Sequence, residues 1–118
     1  CRVSQKLNPD FKKRIEKLLK DLSKRVNRKD YSEIKIFAPK GCDQCGGLGY
    51  KGRVAIFELM AIGDEMEALI SSAVSEAAIG RQALKQGMVT MQQDGILKVI
   101  SGLTTLEEVE GVTGSWEK

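Results

Sequence analysis

The sequence predicts a helix-rich α+β fold, and three observations carry that expectation. The first quarter follows an amphipathic helix pattern. The middle switches to the alternation and β-branched runs of strands, and the second half repeats helix start and stop signals. A chain of 118 residues makes one modest domain, and 42% hydrophobic with 30% charged residues is ordinary for a globular protein. No apolar run approaches the roughly 20 residues of a membrane span, and no signal peptide is visible. The chain starts at Cys1 rather than Met, so it is expected to be a fragment or processed product whose N-terminus says nothing about targeting.

The elements follow in order. In "LNPDFKKRIEKLLKDLSKRVNRKD", Asn8 is placed as N-cap and Pro9 at the first helical position. Phe11, Ile15, Leu18, Leu19, Leu22 and Val26 fall on one helical stripe with basic residues opposite, and basic residues crowd the C-terminal end, where the helix dipole favours them. After Asn27 to Ser32 the period changes. "EIKIF" alternates and "RVAIFELM" is almost continuously apolar, so both read as strands of a hairpin. A strand apolar on both faces is normally covered on both faces, which points to a covering domain upstream.

From Asp64 onward the text is helical. Asp64 with Glu67 has capping-box spacing before "EMEALISS". Ser75 opens a second helix that Gly87 closes. Thr90 with Gln93 opens a third that Gly102 stops, and Thr105 with Glu108 opens "LEEVEGV". Four short capped helices on tight connections make a compact unit, so the chain divides at residues 1–60 and 61–118. The tail "TGSWEK" is expected to fray, with Trp116 as a peripheral contact.

Charge is uneven. Residues 1–53 hold 15 Lys/Arg against 6 Asp/Glu, a net of +9, while residues 54–118 hold 4 against 10, a net of −6. Such asymmetry can mark nucleic acid or an acidic membrane surface. With few aromatic residues in the basic half and no reading motif for RNA or DNA, a solvated basic helix, or one facing an acidic surface of the same assembly, is the better account. Three cysteines do not suggest a secreted disulfide framework but a reducing compartment, with either a metal site or plain thiols. The absence of histidine removes the usual general base and the imidazole zinc ligand together.

Residues 41–59, "GCDQCGGLGYKGRVAIFEL", concentrate the chemistry. Gly47, Gly49, Gly52 and Val54 fit the pattern of a kinase glycine-rich loop, and the glycines fit the dinucleotide fingerprint. Context rejects both: this loop follows a C-x-x-C and opens a strand, and no kinase or Walker motif accompanies it. Cys42 and Cys45 instead put two sulfurs on one tight turn, within reach of a single tetrahedral zinc. Cys1 can donate a third thiolate, and Ser4 stands where a second C-x-x-C would close the set. Unmetallated, Cys42 and Cys45 would be a redox-inert turn, because the pair does not open a helix as a thioredoxin-like motif does.

Residues 41–59 together with "QGMVTMQQDGILKVISGLTTLEEVEGVTG" resemble the C-terminal end of the type II secretion and type IV pilus assembly ATPases. Cys1, Cys42 and Cys45 match three of the four cysteines of that family's zinc motif, with Ser4 in place of the fourth. Gly49 to Glu58 match its strand signature. The resemblance implies a hexameric cytoplasmic ATPase, peripheral at the inner membrane. Its partners would be the other subunits of the homo-hexamer and inner-membrane platform proteins, and it would drive pseudopilus or pilus assembly and protein secretion. The nucleotide motifs, and with them ATP and Mg, would lie upstream of Cys1. Residues 1–60 would then hold the cysteine knuckle with the last strands of the ATPase core. The chain itself is expected to carry no catalytic or nucleotide-binding residue and to be inactive alone, as a structural and assembly portion. Arg53 and Glu58 are expected to pair with neighbouring groups rather than with each other, and Lys51 to be a solvated turn residue. The alternatives are a zinc knuckle of J-protein type, which needs four such repeats where this chain has one, and a basic nucleic-acid-binding module built on the first helix.

Overall fold

The computed structural model describes residues 1–24, 26–72 and 74–116. Strand β1 (Arg2–Gln5) leads to helix α1 (Pro9–Asp21), where the Asn8 side chain accepts a hydrogen bond from the Asp10 amide at 3.0 Å and Pro9 opens the first turn. The expected stripe is the packed one: Ile15, Leu18 and Leu22 are buried, with Phe11, Leu19 and Val26 half-buried against them. The helix ends at Asp21, earlier than the pattern reaches, because Asn27 caps a separate 3₁₀ turn (Arg28–Tyr31) through the Lys29 amide. Val26 joins the core from that connection.

Strand β2 (Ile36–Pro39) pairs antiparallel with β1, setting Arg2 against Pro39, Val3 against Ala38 and Ser4 against Phe37. A helix-rich α+β fold with one antiparallel strand pair is therefore what forms. The partner of the pair corrects the expectation. Residues 53–60 lie in no ladder among the described residues, and β2 takes β1 instead. The reason is visible in their contacts. The Phe57 amide donates to Asp94 Oδ2 at 2.8 Å, and Glu58 accepts from the Met91 amide at 2.9 Å, so a helix holds the segment where a strand was expected.

Four helices follow: α2 (Asp64–Ser71), α3 (Glu76–Lys85), α4 (Met91–Ile100) and α5 (Leu106–Thr113). The Thr90–Gln93 capping box closes in both directions, at 3.2 and 2.9 Å, and Thr105 caps α5 through the Glu108 amide at 3.5 Å. Asp64 is not a cap. Gly63 takes that position, and Asp64 sits in the first turn, where its charge still favours the helix dipole. The core joins α1 to α4, with Ile15, Leu18 and Leu22 against Ile96, Leu97 and Ile100. Trp116 is docked rather than frayed. Its ring meets Phe11 edge-on at 5.4 Å, and its carbonyl accepts from Arg14 at 2.7 Å; residues 117 and 118 lie outside the described residues. The α2–α3 pair packs mainly on itself, burying Met66 and Ala83. The radius of gyration, 17.0 Å, accordingly exceeds the roughly 13.5 Å of a compact chain of this length.

Candidate metal centre

The cysteine turn grows directly out of β2. Lys40 donates to the Cys1 carbonyl at 2.8 Å, which extends the ladder one residue and brings Cys1 beside the turn. Cys42 then leads a 3₁₀ turn (Asp43–Cys45), with the Cys45 and Gly47 amides donating to the Cys42 carbonyl at 3.1 and 3.0 Å. Gly49 closes the return with φ +81°, and a Cβ there would stand 2.4 Å from Pro39 Cβ, so no side chain fits.

The result is a sulfur-centred turn. Cys45 Sγ receives the amides of Cys42 and Gly49, each at 3.1 Å, and lies 3.8 Å from Cys42 Sγ. Burial pushes the Cys45 thiol up, but the Gly49, Cys42 and Gly47 amides and the Cys42 side chain outweigh it and hold the thiol below its ordinary value. The three sulfurs of Cys1, Cys42 and Cys45 lie within 4.8 Å of one another, close enough to hold a metal. Zinc with four tetrahedral bonds of about 2.3 Å sets sulfurs about 3.8 Å apart, so the Cys42–Cys45 spacing fits that ion without rearrangement. A cluster of three cysteine sulfurs that includes no histidine or carboxylate among the described residues suits a soft or borderline metal.

The other singled-out residues are placed as follows. Ser4 is exposed on β1 opposite Phe37 and three residues along the strand from Cys1. Lys51 and Arg53 are exposed, while Glu58 caps the start of α4. The amides of Gly47 and Gly49 are already committed to Cys42 and Cys45, so the glycines do not form a phosphate cradle.

Sequence reasoning missed how both arms of the turn reach the α4–α5 corner. Arg2, next to Cys1, hydrogen-bonds the Gly102 carbonyl and lies 4.4 Å over the Phe37 ring. Gly102 has φ +72°, and a Cβ there would meet Arg2 and Phe37 at 2.6 and 2.7 Å. On the other arm, the Tyr50 and Thr105 hydroxyls share a hydrogen bond at 3.0 Å, and Thr105 is buried. The glycine at the helix stop was legible. Its crowding against β1 was not, because nothing local to Arg2 signals it.

The fold and site define a class: a helix-rich α+β module whose cysteine turn is braced against a helical unit. The family model described as "Type II/IV secretion system protein" matches residues 2–111, and the chain belongs to that family. It is 35% identical over 92% of its length to the "Type IV pilus assembly ATPase PilB" of Thermus thermophilus. It is 33% identical over 95% to the "Type II secretion system ATPase E" of Vibrio cholerae, and 48% identical over 64% to the "Type II secretion system protein E" of Pectobacterium carotovorum. It spans 11%, 22% and 15% of the length of these relatives, respectively.

Proposed function

We propose that this chain is the C-terminal structural and assembly portion of a secretion or pilus-assembly ATPase, with nucleotide chemistry supplied by sequence outside it. One observation carries the proposal. Residues 53–62 are anchored to α4 through Phe57 and Glu58, yet Phe57, Leu59 and Ile62 stay 58%, 78% and 60% exposed. A fixed apolar strip of this kind is the surface a neighbouring domain packs against. In the whole protein that neighbour is the ATPase core, working as a hexamer in the cytoplasm against inner-membrane platform proteins during pseudopilus or pilus assembly. Residues 1–60 then serve as the knuckle that meets the core, and 61–118 as the helical unit. No helix among the described residues is long and apolar enough to cross a membrane. The cysteine cluster takes zinc, held by Cys1, Cys42 and Cys45.

The test pairs two measurements. ATP titrated into the 118-residue chain is expected to leave its spectra unchanged, whereas stoichiometric binding abolished by altering Gly47 or Gly49 would revive a phosphate-loop reading. In the full-length ATPase, Leu59→Asp is expected to impair assembly and hydrolysis while leaving the isolated chain folded. Full activity in that variant sinks the proposal.

A further inference from the structure

We infer that Asp94 is the positioning residue that holds residues 53–62 in place for the neighbouring domain, with Lys98 fixing the Asp94 carboxylate. The inference rests on the reading of that strip as a docking surface and names what keeps the surface in position.

Packing does not hold the strip. Phe57 and Leu59 line an open hollow of about 380 Å³ together with Val26, Tyr31, Val89 and Leu97, and both stay mostly exposed. Apolar groups separated from their neighbours by such a gap forfeit most of the dispersion that close contact supplies. Hydrogen bonds set the path of the chain instead. The Phe57 amide donates to Asp94 Oδ2 at 2.8 Å, and Glu58 Oε2 accepts from the Met91 amide at 2.9 Å. The two tethers differ in kind. Glu58 reaches α4 with an exposed side chain of the strip itself, so its rotamers can absorb movement of the strip. Asp94 grips the strip's backbone from a short side chain on a helix that is anchored in the core.

The grip is itself secured. Lys98, one turn further along α4, donates to the same Oδ2 atom, and its Nζ lies 5.6 Å from the Phe57 ring centre. Acid before base at this spacing is the favourable order on a helix. Side-chain exposures of 23% for Asp94 and 18% for Lys98 leave the pair less screened than one on the open surface. An amide bonded to an ionised carboxylate also makes roughly twice as strong a hydrogen bond as a neutral pair does. Thr90 and Gln93 already cap α4, so the Asp94 carboxylate is not spent on the amides of its own helix. It lies on the edge of the hollow, where burial, Asp30 and Asp94 together raise the Tyr31 phenol above its ordinary value.

Amide hydrogen exchange in the 118-residue chain, paired with hydrolysis by the full-length ATPase, tests the inference. Asp94→Ala is expected to speed exchange at the Phe57 amide roughly ten- to a hundredfold, the range that one hydrogen bond to a charged group supplies. The Ile96 amide, in the middle of α4, should keep its rate. Asp94→Asn has the same shape and keeps an oxygen acceptor, so it should recover part of the protection at Phe57. In the full-length ATPase, Asp94→Ala should lower hydrolysis as Leu59→Asp does, and Asp94→Asn should restore part of it. An unchanged Phe57 amide, or equal acceleration at Phe57 and Ile96, shows that Asp94 serves only its own helix and overturns the inference. Full hydrolysis by Asp94→Ala while Leu59→Asp is impaired also overturns it, because the strip then docks without its clamp. Full hydrolysis by both variants, with the Phe57 amide selectively released, is instead the failure of the docking surface itself, and the role of Asp94 falls with it.

Discussion

Helix α4 and residues 53–62 are built from similar text, "GILKVI" and "VAIFELMAI", yet they end in opposite environments. Ile96 and Val99 are 0% and 1% exposed, whereas Phe57 and Leu59 are 58% and 78% exposed. The difference is one of partners. Around α4 stand α1, packed through Ile15, Leu18 and Leu22, and α5, whose Val109 lies against Gly95. The 53–62 segment meets α4 along one side, through one amide to Asp94, one carboxylate on the Met91 amide, and Lys98 placed 5.6 Å from the Phe57 ring centre. Apolar sequence supplies the drive for burial, but burial happens only where a complementary surface exists.

That contrast can be broken most forcefully at its buried end. Ile96→Ala empties a fully enclosed site and is expected to cost about 2–5 kcal/mol, read by denaturant unfolding. A loss no greater than that of an exposed substitution would mean that α4 is not the centre of the core.

Gly95→Ala sharpens the comparison at the α4–α5 contact. A Cβ there would stand 2.5 Å from Val109 Cγ1, and Val109 is itself buried. The overpacking is expected to cost about 1–3 kcal/mol, partly offset by roughly 1 kcal/mol of helix propensity. A net rise in thermal midpoint would show that the two helices part easily.

Thr90→Ala removes the capping box and should destabilise by about 1 kcal/mol. The matching Ser75→Ala on α3, where the serine makes no side-chain cap bond, should cost less. Equal losses would place α4's advantage elsewhere than its cap.

The smallest expected effect falls at the exposed end. Leu59→Ala in the isolated chain should change unfolding free energy by no more than about 0.5 kcal/mol, while reducing self-association in sedimentation. A large loss of stability there would show that the strip is covered by the chain's own helices.

Much of the fold was legible because its signals are local. Asn8, Thr90 and Thr105 cap amides two or three residues away, so spacing alone reveals them. The α1 stripe was legible for the same reason, since helical periodicity needs no knowledge of the partner. Asp64 misled because a capping residue and a first-turn acid look alike when the preceding residue is glycine. In the candidate site, the Cys42–Cys45 turn could be read from its spacing, but the roles of Arg2 and Tyr50 could not. Their partners, Gly102 and Thr105, are distant in sequence.

By itself, then, the sequence determined the helices, the caps at Asn8, Thr90 and Thr105 and the two-sulfur turn, because each depends on interactions spanning a few residues. Only the tertiary structure decided that β1 and not residues 53–60 pairs with β2, and that this pairing brings Cys1 beside the Cys42–Cys45 turn. Strand pairing is a choice among edges far apart in the chain. Since side chains alternate with a period of two, the register chosen decides which residues share a face, as Arg2 and Phe37 do where they meet Gly102.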